Sequence, residues 1–255
     1  EIGYGSPNKQ GKPESHGAPL GEDEACLTKE NLGWPLEPAF HVPDEVKAHF
    51  KSIREKCGEQ KKLWDRLMSG YRHKFPELAS RWEAWHSNRL PDKLYDDPAL
   101  WEFDRPSATR AASGQVLQVL AKYLSNLIGG SADLNASTKT YLQGKGDFQA
   151  DNPQGSNIAF GVREHAMGTI LAGIALHGGL RPFGSTFFVF SDYLKPSLRL
   201  SALMKVPVIY VFTHDSIAVG EDGPTHQPVE QLANLRSIPN LDVLRPADGR
   251  ETAAA

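Results

Sequence analysis

The sequence predicts an α/β protein: a doubly wound parallel sheet with helices on both faces, preceded by an irregular and helical connector. Three observations point there. From residue 107 short apolar runs alternate with stretches of helical period, as in β-α repeats with right-handed crossovers. Residues 206–212, VPVIYVF, form an uninterrupted apolar run of strand length, expected of a central parallel strand buried on both faces. Residues 160–193 open on a strand end, pass the acid Glu164 and continue into a helical stretch almost free of charge.

Composition narrows the class. At 255 residues the chain has room for one large domain, or one domain and a substantial appendage. An apolar content of 40% and a charged content of 23% are those of a soluble globular protein. The net charge of −3 carries no basic excess, so nucleic acid is not an expected partner. No apolar run approaches the ~20 residues of a membrane helix, so no membrane partner is expected either. Two cysteines, Cys26 and Cys57, are too few for a disulfide framework and suggest a reducing, cytoplasmic compartment. The first residues have neither the basic nor the apolar region of a signal peptide. The chain starts in a loop and stops at Ala255 within a helix-forming run, so it reads as a fragment.

Residues 1–45, rich in Gly and Pro, predict irregular structure with turns, and from local sequence alone His16 in SHGAPLG is a loop histidine in solvent. From Asp44 to about Trp85 charges alternate in sign while Phe50, Ile53, Leu63 and Leu67 recur at helical spacing, predicting two or three amphipathic helices with no site. Residues 87–106, with three prolines, read as a connector, so the expected divisions are 1–45, 46–106 and 107–255.

Within the last division a helix opens near Thr109, NLIGG is a strand, and 157–160 is a second strand. In the following helix Ala166, Gly168, Ala172, Gly173 and Ala175 interleave with Met167, Ile170, Leu171, Ile174 and Leu176. That mixture predicts a buried helix packed close to a neighbour. A third strand is expected near 181–186, a helix over YLKPSLRLSALM despite Pro196, and a further strand at LDVL, 241–244.

The polar clusters share an address. GGSADLNAS follows the first strand, Glu164 the second, and THDSIAVGEDGPTHQP the run 206–212. In a parallel sheet these loops meet at the carboxyl edge, where open α/β sheets place ligands. Phe187, Phe190 and Tyr193 are spaced so that one helical turn presents three rings. A buried acid beside an aromatic wall suits a flat nitrogen heterocycle.

GYGSPNK, SHGAPLG, GGSADL, GVREHAMG and THDSIAVGEDGPTHQP, in this order, resemble the transketolases, the thiamine-diphosphate-dependent ketol transferases. The resemblance covers nearly the whole chain and is strongest from Arg110 to Asp248. It implies the end of a diphosphate-binding domain over 1–45, a helical segment and connector over 46–106, and a pyrimidine-binding domain of the thiamine-diphosphate-binding fold over 107–255. The family's Gly-Asp-Gly metal motif with a downstream Asn is not found. Gly144-Lys145-Gly146-Asp147 with Asn152 is spaced too tightly and reads as a surface loop. The ligands of the Mg2+ or Ca2+ ion, a C-terminal domain and one substrate-phosphate arginine are expected outside this chain.

By the same resemblance Glu164 bonds the cofactor's pyrimidine nitrogen and shuttles its proton, so that the exocyclic nitrogen can deprotonate the thiazolium carbon to an ylid. Phe187, Phe190 and Tyr193 stack on the aminopyrimidine, and Asp133 lies beside the thiazolium. His214 and His226 flank the substrate and move its hydroxyl protons. Asp222 reads the donor's C2 hydroxyl. Arg110 and Ser137 hold the sugar phosphate, for which a guanidinium fork is apt. His16 lies near the diphosphate and the reacting carbons. Without the resemblance, Glu164 reads equally as a helix-capping acid, the aromatics as core, and Arg110 as a helix-end charge. The implied activity is transfer of a two-carbon ketol unit from xylulose 5-phosphate to an aldose phosphate such as ribose 5-phosphate, as in the pentose phosphate pathway, by a homodimer with active sites at the subunit interface. Dihydroxyacetone synthase, which accepts formaldehyde, shares these motifs, and deoxyxylulose phosphate synthases fit them less well. A reading of another class is a non-catalytic pyrimidine-domain fragment that dimerises.

Overall fold

The computed structural model describes residues 1–87, 89–103 and 105–255. They form two compact units, Glu1–Lys74 and Phe75–Ala255.

The first unit contains a 3-10 turn, Pro13–His16, and two helices, α1 (Glu22–Asn31) and α2 (Asp44–Lys74). Helix α1 corrects the irregular structure expected over 1–45. EDEACLTKEN lacks Gly and Pro, and its acids Glu22, Asp23 and Glu24 crowd the first turn, where the helix dipole favours negative charge. The Glu24 carboxylate accepts the Ser6 hydroxyl, the Asn8 backbone N–H (2.8 Å) and the Asn8 amide (2.8 Å), which ties the GYGSPNK loop to α1. Helix α2 runs uninterrupted for 31 residues, the first of two helices over the stretch where two or three were expected. No proline interrupts it, and Lys61 pairs with Asp65 one turn on at 2.6 Å. Its first turn is acidic and its last turn basic, and none of its residues is buried.

The second unit holds α3 (Pro76–His86), a 3-10 turn (Asp92–Leu94), α4 (Pro98–Trp101), α5 (Thr109–Tyr123), β1 (Leu127–Ser131), α6 (Asn135–Thr138) and β2 (Asn157–Ala159). There follow α7 (Glu164–His177), β3 (Arg181–Phe187), a 3-10 turn (Phe188–Phe190), α8 (Ser191–Leu203), β4 (Ile209–Thr213), α9 (Gln231–Arg236) and α10 (Gly249–Ala254). The stretch 87–106 is packed in its described part: Leu94 and Leu100 are buried against Val116 and Val119 of α5. Asp97 caps α4 and accepts from Lys122 and Tyr123 at 2.8 and 2.9 Å.

The sheet runs β2-β1-β3-β4 with every pair parallel. Helices cover both faces, as predicted. Phe183 of β3 turns into a cluster with Leu117, Ala121 and Leu124 of α5 and its C-cap. Met167 and Leu171 of α7 join Leu194 and Leu198 of α8 on the other face. Gly129 is required in β1: a Cβ there would overlap the Phe183 carbonyl and ring.

Two strand expectations are corrected. The run 206–212 does not make a central strand: β4 is the sheet's edge, begins only at Ile209 and leaves that residue 52% exposed. Pro207 has no N–H to give a ladder, which shortens the strand. Residues 241–244 form no strand. Leu241 and Val243 pack against the α7–α8 core while Leu244 stays exposed, so the alternation exists without a ladder partner.

Candidate active site

Because all four strands are parallel, the segments after β1, β2, β3 and β4 leave the sheet at one edge. After β2, Gly161 turns the chain at a φ of +71°, a left-handed conformation that costs glycine little. Helix α7 starts two residues after Val162 with Glu164, which is 6% exposed and whose Oε1 accepts the Thr186 hydroxyl at 3.2 Å.

The aromatic wall forms, but from three elements rather than one helical turn. Phe187 ends β3, Phe190 ends the 3-10 turn and Tyr193 lies in the first turn of α8. The Phe187 and Phe190 rings stand 5.9 Å apart and nearly parallel at 5°, and Tyr193 follows at 6.0 Å. Phe187 is buried, whereas Tyr193 is 65% exposed, so the wall runs from core to solvent. Phe188 turns away into the core beside Phe212.

His214 follows β4 at a φ of 56°, unusual for a non-glycine residue and frequent where chemistry dictates backbone shape. Its ring stacks on Phe187 at 3.7 Å, its Nε2 meets Arg110 Nη1 at 2.8 Å and its Nδ1 meets Thr213 Oγ1 at 2.8 Å. A guanidinium only donates, so Nε2 is the acceptor and the ring proton sits on Nδ1. Burial first, then the Arg110 charge, hold the His214 pKa below its usual value, while Asp222 pulls it upward. His214 is therefore neutral at neutral pH. His226 meets Phe190 edge-on at 5.3 Å and Phe187 at 6.1 Å, with its Nδ1 2.8 Å from Thr225 Oγ1. Asp222 is exposed in the turn before Gly223, whose φ is +71°.

The structure thus gathers Phe187, Phe190, Tyr193, His214, His226 and Arg110 into one cluster, with Thr186 linking Glu164 to the strand that ends in Phe187. Asp133, after β1, is exposed and left-handed at a φ of 64°. Ser137 is half-buried in α6, which lies against β1, β3 and β4. His16 belongs to the first unit, exposed at the end of its 3-10 turn. Neighbouring Ser15 donates to the Lys9 carbonyl at 2.6 Å, and Lys9 Nζ donates to Leu20 O at 2.8 Å. The loop around Gly144–Asp147 is a turn pinned to β2, with Asn157 bonding Leu142 N, Leu142 O and Gly146 O at 2.7, 3.0 and 3.0 Å.

Residues that sequence reasoning passed over are Thr186 and Thr213, each one hydroxyl away from a predicted site residue. For Thr186 the signal lay in β3, where Ser185 and Thr186 interrupt an otherwise apolar strand end; Thr213 is the last residue of β4.

Comparison with known proteins decides the family. The model described as "Transketolase, pyrimidine binding domain" matches residues 105–255. The chain belongs to the transketolase family. A second transketolase model, "Transketolase, thiamine diphosphate binding domain", matches residues 1–91. Transketolases of Halalkalibacterium halodurans and Bacillus subtilis are each 54% identical to the chain, over 100% of its length and 38% of theirs. A solved transketolase from Leishmania mexicana superposes with a TM-score of 0.88 at 42% identity, covering 99% of this chain and 38% of that one. A Pichia stipitis transketolase in complex with sedoheptulose-7-phosphate gives 0.84 at 41% identity, covering 93% and 36%. The chain therefore spans 38% of the length of the curated transketolases it matches.

Proposed function

We propose that the protein containing this chain is a transketolase that moves a two-carbon ketol unit from a ketose phosphate such as xylulose 5-phosphate to an aldose phosphate such as ribose 5-phosphate, in the pentose phosphate pathway. The observation that carries this is Glu164, a buried carboxylate at the sheet's carboxyl edge, beyond which a wall of rings carries two histidines. That donor set fits the aminopyrimidine of thiamine diphosphate: an acid for a ring nitrogen and flat faces for the ring. When bound, thiamine diphosphate supplies the carbon nucleophile and the electron sink.

Glu164 holds the pyrimidine nitrogen and moves a proton there, oriented by the Thr186 hydroxyl. Phe187, Phe190 and Tyr193 would stack on the heterocycle, and Asp133 would lie on the thiazolium side of the site. Once Arg110 turns from His214 Nε2 to the sugar phosphate, neutral His214 accepts at that nitrogen the proton of the sugar hydroxyl that must lose one before the carbon–carbon bond breaks, and His226 serves the other hydroxyl. Asp222 reads the configuration of the donor's C2 hydroxyl. Arg110 and Ser137 hold the terminal phosphate, and His16 acts from the diphosphate side. Residues 1–45 are assigned to the end of the diphosphate-binding domain, 46–106 to the connector and 107–255 to the pyrimidine domain. The Mg2+ or Ca2+ ligands lie outside this chain. The enzyme is a cytoplasmic homodimer with its sites at the subunit interface. Among the described residues no helix is long and apolar enough to cross a membrane.

The test is ketol transfer from xylulose 5-phosphate to ribose 5-phosphate by the complete protein, with and without thiamine diphosphate and Mg2+. Glu164→Gln should keep the unfolding curve and lose about 10²-fold or more in turnover. Near-normal turnover in that variant would remove Glu164 from the mechanism.

A further inference from the structure

Beneath the sheet edge lies a cluster that none of the roles above uses. Thr138, Thr140 and Ser185 are 0%, 1% and 1% exposed. Their hydroxyls bond one another at 2.7 Å (Thr138–Thr140), 2.6 Å (Thr140–Ser185) and 3.1 Å (Thr138–Ser185). Each also reaches a carbonyl oxygen: Leu134 O at 3.0 Å, Asn135 Oδ1 at 3.2 Å and Gly130 O at 3.3 Å. Three hydroxyl protons are thus shared among six contacts, three between the hydroxyls and three to oxygen acceptors of β1 and the α6 segment, and no buried side-chain polar atom among the described residues lacks a partner.

Packing alone does not need this arrangement. Valine would fill the space of either threonine without the cost of desolvating a hydroxyl. What hydrogen bonds add is direction: a satisfied polar network admits one register where an apolar contact tolerates sliding. Helix α6 has need of it. It is four residues long, ends on Lys139 at a φ of 59°, and carries Ser137 between Thr138 and the turn from Asp133. A second anchor lies on its flank. A Cβ at Gly114 of α5 would come within 2.9 Å of Lys139 Cβ and 3.0 Å of Lys139 O, so α5 touches the end of α6 there. Gly114 stands one helical turn after Arg110. The hydroxyl cluster below and the Gly114 contact beside it therefore set where Ser137 stands relative to Arg110.

On the basis of the ketol-transfer assignment above, we propose that Thr138, Thr140 and Ser185 are positioning residues. They hold α6 in register with β3 so that Ser137 and Arg110 close on the phosphate of the sugar, making the enzyme selective for phosphorylated substrates. The experiment uses the complete enzyme loaded with thiamine diphosphate and Mg2+, with Thr140→Val and Ser185→Ala variants. The KM for ribose 5-phosphate should rise about tenfold with kcat changed less than about twofold. The KM for the unphosphorylated acceptor glycolaldehyde should stay unchanged, and inhibition by inorganic phosphate should weaken by a similar factor. Thr140→Ser, which keeps the hydroxyl, should restore the wild-type KM. Equal KM rises for both acceptors, or no rise for either, would overturn the positioning role while leaving ketol transfer intact. An inactive wild-type enzyme would overturn both assignments. If Ser185→Ala does not fold, Thr140→Val, which exchanges one oxygen for a methyl group, decides alone.

Discussion

The buried residues of 1–74 are Gly5, Ser6 and Glu24, none with an apolar side chain, whereas residues 75–255 bury Phe183, Leu142, Met167, Leu171, Leu194 and Leu198 on the two faces of a sheet. The first unit is held by hydrogen bonds to one carboxylate and by local helix chemistry. The Ser6 hydroxyl, then the Asn8 amide and backbone N–H, lower the Glu24 pKa to about 2 against the opposing effect of burial. The second unit is held by side chains removed from water, and its charges stand at the rim, where Arg110 meets His214. The comparison teaches where each part is vulnerable: the first to protonation, the second to loss of volume.

The largest effect should follow from opening the core. Leu171→Ala, at a position with 0% exposure, should cost about 2–5 kcal/mol in urea unfolding. A cost below about 1 kcal/mol would mean that α7 is not held by packing. At the rim, Arg110→Met should raise the KM for phosphorylated sugars about 10-fold or more, with little change for unphosphorylated ones. It should also move the His214 titration upward toward its ordinary value, because the guanidinium charge is one cause of its lowering. A lower or unmoved His214 pKa by NMR would contradict the hydrogen bond.

Acid separates the units further. The folded pKa of Glu24 is lowered from 4.5 to about 2, so its stabilising contribution is complete above pH 4.5 and lost as pH falls toward about 2. The melting difference between wild type and Glu24→Gln should therefore be flat above that window and close within it. A difference independent of pH would assign the effect to shape instead of charge. The smallest effect should come from α2, where Leu67→Ala at an exposed position should change the chain's stability by no more than about 0.5 kcal/mol. A larger loss would show that α2 is packed in solution.

Helix α5, strands β1 and β3 and helix α7 were legible because their information is local: apolar period, glycine punctuation, and an acid at a helix start. So was the shared edge, since parallel strands put successive loops together. Strand β4 was misplaced because a run of apolar residues reports burial of its side chains, not its rank in the sheet. Helix α1 was missed because the Gly and Pro of its neighbours masked ten residues that contain neither.

By itself the sequence determined the fold class, the family motifs and the types of group at the edge: an acid, three rings, two histidines and an arginine. Tertiary structure decided the partners. Thr186 reaches Glu164 across 22 residues, Arg110 reaches His214 across 104, and Ser185 meets Thr140 across 45. Hydrogen bonds of that separation exist only once sheet order and helix packing have placed their ends within about 3 Å of each other. No local propensity encodes such a distance.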